Sequence, residues 1–165
     1  MKQNKSPWDV ALRFLSYRAR SVREVRQRLL RDFTKTDTDI TLDLLKSKNF
    51  LNDRNFAEYW IQLRETHRPR SRKVLEQELR NLGVERETIV PLLEAVDDYT
   101  TALRSGKKII NRYGHMDEKD FMGKMFRYLQ QHGFSYEISR NASVQLWGQL
   151  TDSGDCQING NAHYQ

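Results

Sequence analysis

Apolar residues recur along this chain at helical spacing and nowhere alternate one by one as in a half-buried strand. Trp8, Ala11, Leu12 and Leu15 fall at i, i+3, i+4 and i+7, which sets them on one face of an amphipathic helix. Ser21 with Glu24 three residues later has the form of a capping box, in which the serine oxygen takes a free N–H of the first turn and the glutamate reaches back. Val22, Val25, Leu29 and Phe33 then supply the apolar stripe of a second helix. Residues 34–38 read as a turn, with Asp39 as the N-cap of a short third helix carrying Ile40, Leu44 and Leu45. Residues 49–53 interrupt the pattern, and Asn52 or Asp53 can cap a fourth helix bearing Phe56, Ala57, Trp60 and Ile61. A fifth helix starts at Ser71 and runs through Val74, Leu75, Leu79 and Leu82 to Gly83, a residue able to take the left-handed conformation that ends helices. The sixth carries Ile89, Leu92, Leu93 and Val96; with Pro91 inside it, it either begins late, near Thr88, or kinks. Next come a helix with Ala102, Leu103, Ile109, Ile110 and Tyr113, one opened by Asp117 with Met122, Met125, Phe126 and Leu129, and one capped by Ser135 with Ile138, Ala142, Leu146 and Trp147. The expected fold class is all-α, with about nine helices.

The pattern repeats. Val25, Leu75 and Met125 are spaced by 50 residues, as are Leu29, Leu79 and Leu129. Two of these are followed by a matching helix end, Leu79-x-x-x-Gly83-Val84 and Leu129-x-x-x-Gly133-Phe134; in the first cycle Phe33 holds the glycine position, so that helix ends by another geometry. The chain therefore reads as three tandem three-helix repeats, residues 1–50, 51–97 and 98–150, each burying its open faces on its neighbour. Residues 151–165 are polar and without period, and are expected to form a disordered tail.

A hydrophobic share of 38% and a charged share of 30% are polar for one compact ball but ordinary for an elongated helical array. No run approaches the roughly 18 apolar residues of a spanning helix, and the N-terminus lacks the apolar core of a signal peptide, so a cytoplasmic protein with no membrane partner is expected. The single cysteine, Cys156, excludes an internal disulfide and a cysteine metal site. Charge is uneven: residues 1–73 hold 18 Lys or Arg against 9 Asp or Glu, a net +9, while 74–165 hold 10 against 13, a net −3. A basic half of this kind suits a polyanionic partner or serves plain solubility.

Catalytic constellations are lacking. Ser105-Gly106-Lys107 has the look of the end of a phosphate loop, but no earlier glycine at the needed spacing and no strand precede it. His67, His115, His132 and His163 lack the i, i+4 pairing that aims two imidazoles at one metal, and Asn141-Ala142-Ser143 lies in an expected helix rather than an exposed loop. No cofactor, no metal and no enzymatic activity are expected. Arginine dominates the basic residues: Arg18, Arg20, Arg23, Arg26, Arg28 and Arg31 crowd the second helix, and Arg64, Arg68, Arg70, Arg72 and Lys73 crowd the join between the fourth and fifth. The planar guanidinium binds carboxylates and phosphates in bidentate fashion, which favours recognition. The partner-binding candidates are Arg20, Arg23, Arg31, Arg64, Arg68, Arg70, Arg72 and Lys73. Trp8, Trp60 and Trp147 lie on or beside apolar stripes, so core packing outweighs base stacking.

Asn49-Phe50-Leu51-Asn52-Asp53-x-x-Phe56-Ala57 resembles the Gly-Tyr-Leu-Asp/Asn-Asp-x-x-Phe-Ala segment between the first two repeats of the RecX regulatory proteins. Gln77-Glu78-Leu79-x-x-Leu82-Gly83-Val84 is similar to that family's Glu-Leu-x-x-Lys-Gly-Ile helix end, and Ala11-Leu12-x-x-Leu15, Arg18-x-x-Ser21 and Arg127-x-Leu129-x-x-x-Gly133-Phe134 also agree. The resemblance covers roughly residues 8 to 150. Departures are Asn49 for the usual Gly, Leu82 for the usual Lys, and Arg68-Pro69-Arg70 where a Gly commonly joins helices four and five. The resemblance implies a curved, elongated and monomeric molecule that binds the RecA recombinase filament on single-stranded DNA and damps its ATPase and strand exchange, with no cofactor. The residues also leave open a basic helical protein acting directly on DNA, and a repeat scaffold for another protein; steep salt dependence without recombinase would favour the former.

Overall fold

The computed structural model describes residues 6–158, and the side chains of 6–152. Ten helices, and no strand among the described residues, make up the fold: α1 (Pro7–Leu15), α2 (Val22–Leu29), α3 (Lys35–Ser47), α4 (Asp53–His67), α5 (Arg72–Asn81), α6 (Arg86–Glu94), α7 (Asp98–Lys107), α8 (Ile110–Tyr113), α9 (Glu118–Gln131) and α10 (Tyr136–Ile158).

Local capping chemistry sets most of the boundaries. Ser21 and Glu24 complete the capping box, the Glu24 N–H reaching Ser21 Oγ at 3.2 Å and the Ser21 N–H reaching Glu24 Oε2 at 3.1 Å. Asn52 Oδ1 accepts from the N–H groups of Arg54 and Asn55, Asp117 Oδ1 from Asp120, and Ser135 Oγ from Ile138.

Several boundaries differ from expectation. Helix α3 starts at Lys35, ahead of Asp39, because Thr34 Oγ1 accepts the Asp37 N–H at 3.1 Å and donates to the Asp37 carboxylate at 2.7 Å. The buried face of α3 is accordingly Thr38, Thr41, Leu42 and Leu45, leaving Ile40 63% and Leu44 42% exposed. Helix α6 begins at Arg86, before Thr88, and carries Pro91 within it on an exposed position. The missing proline donor thus falls on a side where water can reach the freed carbonyl. The single helix expected from Ala102 to Tyr113 divides into α7 and α8, with Ile109 between them at φ −119°, ψ 0°. Helix α10 continues through residues 151–158, so that part of the expected tail is helical; no proline interrupts it, and Thr151 Oγ1 donates to the Trp147 and Gly148 carbonyls. The rest of the expected tail, 159–165, lies outside the described residues.

The chain forms two compact units, Met1–Leu63 with Glu76–Ala95, and Arg64–Leu75 with Val96–Gln165. Helices α4 and α5 each contribute to both. In the first unit Ala11, Val25, Leu29, Leu42, Leu45 and Leu51 form a buried cluster, flanked by Trp8, Leu12, Leu15 and Phe33. In the second the buried cluster is Ala102, Phe121, Met125, Leu129, Phe134, Ala142 and Leu146. Each fully buried leucine or phenylalanine contributes about 1.5–3 kcal/mol by leaving water.

The 50-residue spacing records a joint that each unit contains once. In the first unit the buried N-cap Ser21 donates its hydroxyl to the Leu82 carbonyl at 2.5 Å, next to Gly83, and Asp53 accepts the Val22 N–H at 2.8 Å. In the second, the buried Ser71 donates its backbone N–H to the His132 carbonyl at 3.2 Å, next to Gly133, and Asp98 accepts the Arg72 N–H at 2.7 Å. The glycines adopt φ +91° and +89°. Both ends close in the same way, Val84 N–H to the Leu79 carbonyl and Phe134 N–H to the Leu129 carbonyl. A side chain has no room either: a Cβ on Gly83 would lie 2.5 Å from Arg23 Cβ, and one on Gly133 would lie 2.6 Å from Ser71 Oγ. Asn49, at φ +58°, ends α3 similarly, with the Phe50 N–H bonded to the Leu45 carbonyl; asparagine is among the few residues that take this conformation readily.

Candidate functional site

The eight arginine and lysine candidates fall in both units: Arg20, Arg23 and Arg31 in the first, Arg64, Arg68, Arg70, Arg72 and Lys73 in the second. Several of them hold the fold. Arg18 and Arg20 grip the Glu24 carboxylate at 2.5 and 3.3 Å, and the Arg20 guanidinium carbon lies 4.1 Å from the Phe14 ring centroid. Burial pushes the Glu24 carboxyl up, but the hydrogen bonds from Arg18 and the Ser21 N–H, with the Arg18 charge and the Arg20 bond, outweigh it and leave it below its ordinary value. Arg23 donates to the carbonyls of Arg80 and Asn81 at 3.5 and 3.4 Å, at the end of α5, while its stem covers Gly83. Arg26 pairs with Asp39, and Arg28 with Asp32 at 2.7 Å. Arg31 is exposed and has no charged or hydrogen-bonding side-chain partner among the described residues.

In the second unit Arg64 and Arg70 are half-buried, and Arg70 Nε is buried without a hydrogen-bond partner, as Arg20 Nε is in the first. Arg72 Nε lies 3.8 Å from the Asp98 carboxylate that also takes its backbone N–H. Arg68 and Lys73 are exposed, with no side-chain partner among the described residues. The fold adds cations that sequence spacing did not single out. Lys108 Nζ donates to the Thr66 and His67 carbonyls at the end of α4, just before Arg68, and Arg104 lies 3.9 Å from Glu65. Only chain folding unites residues some 40 positions apart.

The remaining motifs have structural roles. Ser105 and Gly106 are buried inside α7, where Gly106 lets α7 pack closely on Leu146 and Met125. Trp60 donates Nε1–H to Glu78 at 2.9 Å, Trp8 meets Phe50 edge-on, and Trp147 packs on Phe121 at 5.1 Å. Among the described residues no three His, Cys, Asp or Glu side chains are placed to hold one metal ion, and no helix is long and apolar enough to cross a membrane.

His132 is half-buried, with Nδ1 2.7 Å from the Tyr128 carbonyl and its ring against Tyr128. Burial pushes the imidazole below its ordinary value of 6.5; the Arg70 charge adds to this, and the Tyr128 carbonyl opposes it. The folded state prefers neutral His132, so its stabilisation is complete above the unfolded value and is lost as pH falls through 6.5 toward the lower folded value. Melting temperature is expected to fall as pH drops through 6.5, and less so in His132→Gln. Equal slopes in both proteins would remove His132 from this account. Glu24 acts in a lower window, its contribution present above 4.5 and lost as pH falls through its depressed folded value.

Two family models match the chain: "RecX, first three-helix domain" over residues 8–43 and "RecX, second three-helix domain" over 52–90. The "Regulatory protein RecX" of Bacillus licheniformis is 31% identical over 158 residues, covering 91% of this chain and 58% of that protein. The chain belongs to the RecX family. Another RecX, from Listeria welshimeri, is 28% identical over 152 residues, covering 90% of this chain and 56% of its own length. The chain thus spans a little over half the length of these RecX relatives. The crystal structure of RecX from Lactobacillus salivarius superposes with a TM-score of 0.70 over 85% of this chain and 94% of that one, at 24% identity, a likeness of fold. The RecX boundaries fit the joints described above, since the second matched domain opens at Asn52, the cap of α4.

Proposed function

We propose that this chain is a non-enzymatic regulator of the RecA recombinase, binding its filament on single-stranded DNA and damping ATP hydrolysis and strand exchange. The observation that carries the proposal is the match of both RecX three-helix domains, together with relatives named regulatory proteins. The work is placed in the cytoplasm, where the recombinase acts, and needs no cofactor. Of the eight basic candidates, Arg31, Arg68 and Lys73 are assigned to the partner, because they are exposed and unpaired within the described fold; Arg20, Arg23 and Arg72 serve mainly to hold helix ends, and Arg64 and Arg70 are half-buried.

The test is a titration of the protein into a RecA ATPase assay on single-stranded DNA. Slowed hydrolysis at protein concentrations near that of the recombinase is the expected result, and an unchanged rate would overturn the proposal. The exposed cations also suit direct DNA binding, which would appear without recombinase and weaken steeply with salt.

A further inference from the structure

The first unit contains a polar cleft of about 680 Å³ that the recombinase reading does not use. Four cations line it, drawn from three helices: Arg23 and Arg26 of α2, Lys46 of α3 and Arg54 of α4. Two carboxylates, Asp53 and Glu85, share the lining, so the lining itself holds two more cations than anions, while Arg26 and Arg54 are each paired with a carboxylate just outside it, Asp39 and Glu58. Lys46 has no hydrogen-bond or ion-pair partner among the described residues. Arg54 uses only Nε on Glu58, at 3.2 Å, which leaves the other donors of its fork unspent. Arg26 and Arg23 likewise bond through one terminal nitrogen each. Asp53 is engaged with the Val22 N–H at 2.8 Å, and burial, opposed by that bond and by Lys46 and assisted by Glu85 and Glu24, pushes its carboxyl up.

Cations converging from separate helices on one open groove raise the local potential more than the same charges spread over a convex face. Three are arginines, whose planar forks match tetrahedral oxyanions in bidentate fashion. The volume falls within the range of small-molecule sites, while the charged walls do not suit an apolar ligand. We propose that this cleft binds phosphate groups, either of a free polyphosphate or nucleotide or of a nucleic-acid backbone. Asp53 opposes the ligand, so it sets affinity from below.

Calorimetric titration of the whole chain at neutral pH tests this, with tripolyphosphate as one probe and a short oligothymidylate as the other. Lys46→Gln with Arg54→Gln is expected to weaken binding about tenfold, whereas Lys119→Gln with Lys124→Gln, which removes the same charge from exposed positions of α9, should change it less than about twofold. Asp53→Asn keeps an acceptor for Val22 and removes a negative charge, so it should tighten binding. Tripolyphosphate binding identifies free phosphate as sufficient; binding of the oligonucleotide alone identifies the nucleic-acid backbone. Helicity measured alongside shows that each variant is folded. Equal losses in the two double variants, or no binding of either probe by the wild type, would overturn the assignment.

Discussion

Valine in place of Gly133 is expected to destabilise the protein by about 3 kcal/mol or more. Two independent penalties act there. The residue sits at φ +89°, a conformation strained for any β-branched side chain. Its Cβ would also press on Val74 and lie 2.6 Å from Ser71 Oγ, the atom that caps α5. Relief by rotation is unavailable, since Ser71 is wholly buried and its N–H is bonded to the His132 carbonyl. Urea denaturation should show a lower midpoint with little change in slope. Gly123, where a Cβ meets nothing within 4 Å inside α9, supplies the contrast: alanine there should stabilise the protein by about 0.5–1 kcal/mol and so raise the midpoint. A Gly133→Val protein that unfolds like the wild type would mean that α9 does not end against Ser71.

The second large effect is functional. Arg68→Glu combined with Lys73→Glu should raise the concentration needed for half-maximal suppression of RecA ATPase by about 10-fold to 100-fold. A charge-assisted hydrogen bond contributes about 1.5–3 kcal/mol when well made and much less when exposed and screened, and the range follows from two contacts between those limits. Reversal of Arg70 or Arg72 is a poorer probe. Arg70 Nε is buried, and Arg72 shares Asp98 with its own backbone N–H, so both changes disturb the start of α5 before any partner arrives. Unchanged suppression by the folded double variant would make this pair an ordinary solvated surface.

Helix ends were largely legible in the amino-acid sequence because capping is chemistry between residues two to five apart. Ser21 with Glu24, Asn52, Gly83, Asp117, Gly133 and Ser135 all act where their types and spacing place them. The start of α3 was hidden by a contest between two acceptors, which Thr34 wins over Asp39, and the consequent rotation exposes Ile40 and Leu44. The break at Ile109 has no Gly or Pro to announce it. For the candidate site, the count of arginines was plain but their employment was not. Glu24 claims Arg18 and Arg20 locally, whereas Arg23 is taken by carbonyls 57 and 58 residues away and Lys108 by carbonyls more than 40 residues back. Such long-range bonds leave no periodic trace.

The serine and aspartate of the first joint also set an order of events during synthesis. Helix α2 leaves the ribosome with the Val22 N–H open until Asp53 has emerged, and with the Ser21 hydroxyl unmatched until Leu82 has followed. By then residues 64–75, which belong to the second unit, have already been made and must wait for partners beyond residue 95. Nascent chains that stop between residues 75 and 95 hold the first unit without its final segment, and only residues 64–75 of the second. The first unit is completed at residue 95, by a chain that already carries residues 64–75 of the second, so a stop between residues 64 and 95 leaves neither unit whole.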